Sequence, residues 1–314
     1  MRRPSGYIPP GSAANWYMWS GWYRLLLVSI GLVAVCSLVA GPATAQVVTD
    51  DLTEQYRLMQ SDWYVRLSPV AQRLFLLFAG FEFAVSAYVW GFRRQELDDT
   101  LGQFFLKFLM LSVLYFFLMA WIHWGPLITQ SLATAGQIAS GSSGLSPSAI
   151  AELGIELHGK MMEKAWAWGL LVSTADTVAA LIAGLLVTIA FALIAVQLVI
   201  TLVESYIVVG AGVFFLGFAA FRGTSSFTDR YLVYAFSVGI RLFLLYLLVG
   251  IGQDVAEDWI TMIDTMSVVD YKLAARMIVG SFIFAGIALI IPNRAARQLT
   301  DGASFGLREA VQMR

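Results

Sequence analysis

ESYIVVGAGVFFLGFAAF (residues 204–221), RGTSSFTDR (222–230) and YLVYAFSVGIRLFLLYLLVGIG (231–252) follow one another without a gap, and their reading decides the fold. Two apolar runs of bilayer length flank a short polar hinge that opens with Arg222 and closes with Arg230. Each run holds one ionisable residue, Glu204 at the start of the first and Arg241 near the middle of the second. A charge at the bilayer centre costs at least ~2.5 kcal/mol on insertion scales, so Arg241 must face protein or water. Arginine has no accessible neutral form, so its helix is buried only where a carboxylate or several carbonyls meet the guanidinium. Glu204 is the nearest intramembrane carboxylate along the chain and the expected partner, with Glu82 the alternative. Two roles are open for Arg241: a clamp between helices, or a pore or gate residue.

Composition places the rest of the chain in the same class. Of 314 residues, 59% are hydrophobic and 13% charged, with a mean hydropathy of +0.73. That is too little polar surface to cover a water-soluble globule, so the chain is read as an integral membrane protein. A net charge of -1 lacks the clustered cations with which proteins neutralise nucleic-acid phosphates. Cys36 is the single cysteine and forms no internal disulfide. His123 and His158 leave no His/Cys cluster for zinc, and no cofactor is expected. The sequence holds no GxxxxGK[ST] and no HExxH, the motifs of phosphate-loop and zinc-hydrolase chemistry. Gly141, Ser142, Ser143 and Gly144 are superficially similar to an intramembrane serine-protease motif but lie in a small-residue polar stretch, which reads as loop.

Taken in order, the chain starts with a secretory signal at residues 1–45. Arg2, Arg3 and Arg24 precede an apolar run from Leu25 to Ala40, and Ala43 and Ala45 supply the small residues of a cleavage site. Trp16, Trp19 and Trp22 allow the alternative of an uncleaved, interface-anchored signal. Residues 46–68 form a polar periplasmic segment. Residues 69–124 hold two spans joined by a cytoplasmic hinge, the first beginning with Pro69 in the first helical turn and the second ending at the interfacial Trp121 and Trp124. In the first span, Arg73 sits close enough to the end to snorkel, while Glu82 must be protonated, paired or turned toward protein.

Residues 125–168 read as a periplasmic segment, with SLATAGQIASGSSGLS as loop and Ser146–Pro147 as the cap and first position of a helix. Ile150, Leu153, Leu157 and Met161 recur at helical spacing, so this helix is amphipathic and either lies on the membrane surface or docks a partner. Glu156 and Lys160 are expected to pair at i, i+4. In the signature region, residues 169–291, Ala175, Ala179, Ala183, Gly184 and Ala192 set small residues along one helix, the pattern that lets membrane helices approach closely. Beyond it, residues 204–221 form a second crossing, a re-entrant limb or the end of a long bent helix. Arg294, Arg297, Arg308 and Arg314 make residues 292–314 the basic, cytoplasmic tail. Counting back, the acidic segment 253–270 is periplasmic and the 222–230 loop cytoplasmic. Parity then requires an odd number of crossings between 169 and 221, and one crossing gives five transmembrane helices after the signal.

The ordered succession of Gly210, Ala211 and Gly212, the run from Phe214 to Phe218, the loop from Arg222 to Arg230 and the run from Phe236 to Gly252 resembles the signature of the TrbL family, polytopic inner-membrane proteins of conjugative, type IV secretion machines. Gly210, Gly212, Gly217, Arg222, Gly239, Gly250 and Gly252 carry the resemblance. It implies an all-α, multi-pass protein of the bacterial inner membrane, with a periplasmic mature N-terminus and a cytoplasmic C-terminus. It further implies a non-catalytic channel or scaffold in a homo-oligomer, with other inner-membrane and periplasmic subunits as partners and DNA or protein as transferred substrate. A small-solute transporter or channel is the rival, weakened by the lack of an internal repeat; an intramembrane hydrolase is the second.

Overall fold

A computed structural model describes residues 42–92, 97–141, 146–166, 174–266 and 269–306, and among these residues there is no β-strand. The signal reading falls on residues 1–45, of which 1–41 lie outside the described residues. The elements are α1 (Pro42–Phe92), α2 (Leu97–Met119), α3 (Trp121–Ala139), α4 (Pro147–Lys164), α5 (Thr174–Ala211), the short α6 (Val213–Leu216) with a 3-10 turn (Gly217–Ala220), α7 (Ser225–Thr265) and α8 (Tyr271–Thr300). Among the described residues, five helices are long and apolar enough to cross a membrane, within α1, α2, α5, α7 and α8. The chain is a multi-pass membrane protein. At 1.5 Å per residue, the 51 residues of α1 reach roughly 75 Å and the 41 of α7 roughly 60 Å. A hydrocarbon core ~30 Å thick cannot contain them, so both helices tilt strongly or project beyond the bilayer.

Two apolar cores hold the bundle. The first gathers Ile150, Leu157 and Met161 of α4, Ala183, Val187 and Ile194 of α5, Leu245 and Val249 of α7, and Ala285 and Ala288 of α8. The second gathers Ala71 and Phe75 of α1, Leu118 of α2, Trp121 of α3, Leu216 and Ala220 of the short helical turns, and Val238 of α7. α5 and α7 pass through both, which makes this antiparallel pair the axis of the molecule.

Several local expectations are corrected. Pro69 lies inside α1 rather than at its start, because the helix is packed on both sides of it: Gln60 lies against Gly210, and Ala71 against Gly217. Such contacts outweigh the one hydrogen bond a proline removes. Arg73 is exposed but far from either end of α1. The presumed loop at residues 131–139 is helix α3, docked where Gly136 lets the backbone of Phe243 approach; residues 142–145 lie outside the described residues. The polar hinge shrinks to residues 222–224, since Ser225 to Arg230 form the first turns of α7. The same helix runs on to Thr265 through most of the acidic segment. Trp121 is fully buried instead of interfacial, whereas Trp124 is half exposed.

Helix α4 forms as its sequence dictates, with the Ser146 hydroxyl accepting from the Ala149 amide at 3.1 Å and Pro147 following at the first position. Its apolar face packs into the chain's own bundle. Ile150, Leu157 and Met161 are buried against the chain's own α5 and α7, and Gly154 sits on Phe191. Lys160 takes Asp264 rather than Glu156 as its hydrogen-bonded partner, binding both carboxylate oxygens at 3.0 and 2.9 Å.

Candidate functional site

The signature region builds a reversal between α5 and α7, and its polar backbone is satisfied by side chains. Where α5 ends, the Val208 carbonyl accepts from the Tyr231 hydroxyl at 2.9 Å and the Val209 carbonyl from the Trp121 indole N–H at 3.1 Å. Farther along, Thr228 donates to the Phe215 carbonyl at 2.7 Å and Thr224 to the Phe218 carbonyl at 2.9 Å. Away from water, carbonyls released by a broken helix need such donors. Phe218 and Phe221 pack on Phe78 and Phe81 of α1, with ring centroids 5.5 Å apart for Phe78–Phe218 and 5.0 Å for Phe81–Phe221. Of the three readings open for residues 204–221, the bent end of a long helix fits this geometry: 204–211 complete α5, and 213–220 carry on along α1 in short turns, with Gly210 against Gln60 and Gly217 against Ala71.

An ion cluster lies at each side of the reversal. Glu82, fully buried on α1, binds Lys107 of α2 at 2.5 Å and accepts from the Arg222 backbone amide at 3.3 Å. The Arg222 guanidinium stands 3.8 Å away, and Ser86 accepts a bond from Lys107. Glu82 is therefore a three-way tie between α1, α2 and the reversal, and is not the partner of Arg241. Lys107 was legible as a lone cation inside an apolar run, FFLKFLML, yet nothing in the sequence joined it to Glu82.

Arg241 of α7 meets Glu204 of α5 at 2.7 Å, with the side chains 16% and 23% exposed. The Tyr234 hydroxyl donates to the same carboxylate oxygen. The Nε of Arg241 is buried without a hydrogen-bond partner, so the guanidinium is only partly satisfied. Glu204 and Tyr234 form part of the wall of a groove of about 740 Å³ between α1, α5 and α7. Tyr234 lies three residues from Tyr231 on one face of α7, a helical spacing that was visible but not separable from the surrounding aromatics.

The signature glycines mark close approaches. A Cβ on Gly210 would stand 2.7 Å from the Gln60 carbonyl, on Gly217 2.8 Å from the Ala71 carbonyl, and on Gly239 2.6 Å from Leu132; on Gly252 it would overlap the Phe284 ring. Gly212 is crowded by Tyr231, and Gly250 is buried in α7. Among the small residues of α5, Ala183 and Gly184 are buried, Ala179 and Ala192 half-buried and Ala175 exposed. Gly184 receives His158 of α4, whose Nδ1 is buried without a partner. Desolvation holds the His158 imidazole below its ordinary pKa, against a smaller opposing effect of the Gly184 backbone. Lys160 is raised, chiefly by its hydrogen bond to Asp264.

A model of the TrbL/VirB6 plasmid conjugal transfer protein family matches residues 79–291. Among curated proteins, the chain is similar to the conjugal transfer protein TrbL of Rhizobium radiobacter, 31% identical over 232 residues. It is also similar to a probable conjugal transfer protein TrbL of Sinorhizobium fredii, 28% identical over 232 residues. Each match covers 74% of this chain and 58% of the relative, so the chain spans less than two thirds of the length of these relatives.

Proposed function

The chain belongs to the TrbL/VirB6 plasmid conjugal transfer family, and from that premise we propose that it is an inner-membrane channel or scaffold component of a type IV secretion apparatus, without catalysis of its own. The observation that carries the reading is the family match over residues 79–291, a range that contains the reversal and both ion clusters. In each cluster the charges are paired within the chain, which supports a fixed framework more than a solute carrier that must release its ligand. The groove beside Glu204 is lined mainly by apolar side chains, again unlike a site for a small polar solute.

In this reading the chain works as a homo-oligomer with other inner-membrane and periplasmic subunits, and DNA or protein is the substrate transferred. Its signal is cleaved after Ala45, its mature N-terminus is periplasmic and its Arg-rich tail cytoplasmic. Deletion of the gene, with mating and effector-transfer assays beside uptake of small solutes, is the test. Transfer is expected to fall to background with growth and uptake unchanged; normal transfer with a defect in uptake of one solute would replace this reading with the transporter.

A further inference from the structure

Where α1, α3 and the end of α5 meet, a cavity of about 180 Å³ is lined by Arg57, Gln60, Ser61 and Tyr64 of α1 and by Ile122 and Gln130 of α3. Its depth follows from Tyr64, whose hydroxyl donates at 3.1 Å to the carbonyl of Met119, the last residue of the apolar run Leu101–Met119 in α2. The cavity therefore begins where that run ends. It lies on the side of the bilayer away from the reversal, because α2 joins Glu82 and Arg222 at Lys107, nearer its other end. Trp124, 51% exposed on α3, is the kind of side chain that settles at headgroup level.

Polar chemistry is ordered along α1. Glu54, Arg57, Ser61 and Tyr64 recur at spacings of three and four, which puts them on one face of the helix. At 1.5 Å per residue, Arg57 stands roughly 10 Å and Glu54 roughly 15 Å from Tyr64, on the side away from the apolar run. Arg57 gives Nε and Nη2 to Glu54, each at 2.6 Å, so Nη1 is left for another acceptor. The Ser61 hydroxyl is given to the Leu58 carbonyl, whereas the Gln60 and Gln130 amides hold no hydrogen bond to any described residue. An anion suits Arg57 and the two amides, but a bare one would be repelled by Glu54 one turn farther out.

We propose that this cavity binds the headgroup of phosphatidylethanolamine, with the phosphate on Arg57, Gln60 and Gln130, the ammonium on Glu54, and the acyl chains leaving past Ile122 along the apolar run of α2. Charge-assisted bonds to phosphate are the strong ones, and the lipid's order of tail, phosphate and ammonium repeats the order of Tyr64, Arg57 and Glu54. Phosphatidylcholine has no N–H to give Glu54, and phosphatidylglycerol brings no cation to it. The inference rests on α2 crossing the bilayer and not on the secretion reading, so its test does not use transfer.

The full chain, delipidated in detergent, is titrated with phosphatidylethanolamine, phosphatidylcholine or phosphatidylglycerol, and bound lipid is counted by native mass spectrometry. One phosphatidylethanolamine is expected to bind more tightly than either other lipid. Arg57→Ala should weaken it roughly tenfold, the value of one hydrogen bond to a charged group, and Gln130→Leu by a smaller factor. Glu54→Gln should remove the preference over phosphatidylglycerol. Arg276→Ala, an exposed cation on α8, is the control and should change nothing; Glu54, Arg57 and Gln130 are exposed too, so these replacements spare the core. The melting temperature without lipid identifies a variant that fails to fold, in which case the remaining ones decide. Equal affinity for the three lipids, tighter binding of phosphatidylcholine or phosphatidylglycerol, or unchanged affinity in Arg57→Ala and Gln130→Leu would each overturn the proposal. Displacement of the lipid by inorganic phosphate would make this an anion site and overturn it as well.

Discussion

Arg241 and Glu204 belong to helices that run antiparallel, and each is the other's ionic partner across the interface. Removing one leaves an uncompensated charge among apolar side chains, a loss of about 3 to 5 kcal/mol for a buried pair. Arg241→Ala and Glu204→Ala are each expected to lower folded protein in membranes sharply, and the double replacement to recover much of it. Fluorescence-detected size-exclusion of tagged variants measures this; additive losses in the double variant would refute the clamp. Glu82 differs because it answers two cations, Lys107 and Arg222. Glu82→Ala should therefore be worse than Lys107→Ala, and pairing the two replacements should recover only part of the loss, since Arg222 remains unanswered. Full recovery would show that Arg222 does not depend on Glu82. At His158 the sign is set by burial: the folded state holds the imidazole below its ordinary pKa of 6.5. Its contribution is intact above pH 6.5 and is lost as pH falls toward the lower folded value, because the unfolded chain takes up the proton first. Thermal unfolding in detergent from pH 8 to 5 should show a decline below 6.5 that His158→Leu reduces; an unchanged slope would clear His158 of the effect.

At the scale of elements, the signature glycines decide which helices can touch. Gly217 meets a backbone carbonyl of α1 rather than a movable side chain, so a larger residue there must push whole segments apart. Overpacking a buried contact costs about 1 to 3 kcal/mol, and Gly217→Leu should also weaken the contact of Glu82 with Arg222, five residues on. Gly80→Leu, where a Cβ meets nothing within 4 Å, is the control and should leave abundance and melting temperature unchanged; equal damage from both would separate the signature from packing. By contrast, the tie between α4 and α7 through Lys160 and Asp264 is half exposed, with the side chains 31% and 47% accessible. Lys160→Ala is expected to cost less than about 1 kcal/mol, with α4 kept in place by Ile150, Leu157 and Met161. Protease cleavage of α4 at native temperature in this variant would show that the ion pair holds more than that.

For the whole molecule, the proposed orientation rests on charge outside the apolar runs. With the Arg-rich tail cytoplasmic, the reversal near Arg222 is cytoplasmic and the end of α7 periplasmic. Ser226 and Thr265 are exposed at opposite ends of α7, so single cysteines at the two positions, with Cys36 replaced, separate the orientations. An impermeant thiol reagent added outside spheroplasts should label position 265 and spare 226. The reverse pattern would invert the topology.

Helix content, the membrane class and the number of spans were legible in the sequence, because the length of an apolar run and the cost of desolvating a charge are local quantities read one segment at a time. The pairing of Arg241 with Glu204 was also within reach, since an arginine that cannot shed its charge restricts the candidates to the few intramembrane carboxylates. Only the tertiary structure decided that α1 continues through Pro69, that residues 131–139 are helix, and that α4 turns its apolar face into its own bundle. Each of these rests on contacts between residues far apart in the chain, Gln60 with Gly210, Gly136 with Phe243 and Gly154 with Phe191, and their packing energy exceeds the local preferences of proline, glycine and serine. The same holds for Glu82: its need for a partner was visible in its own segment, whereas the choice of Lys107 and Arg222 depended on where three helices meet.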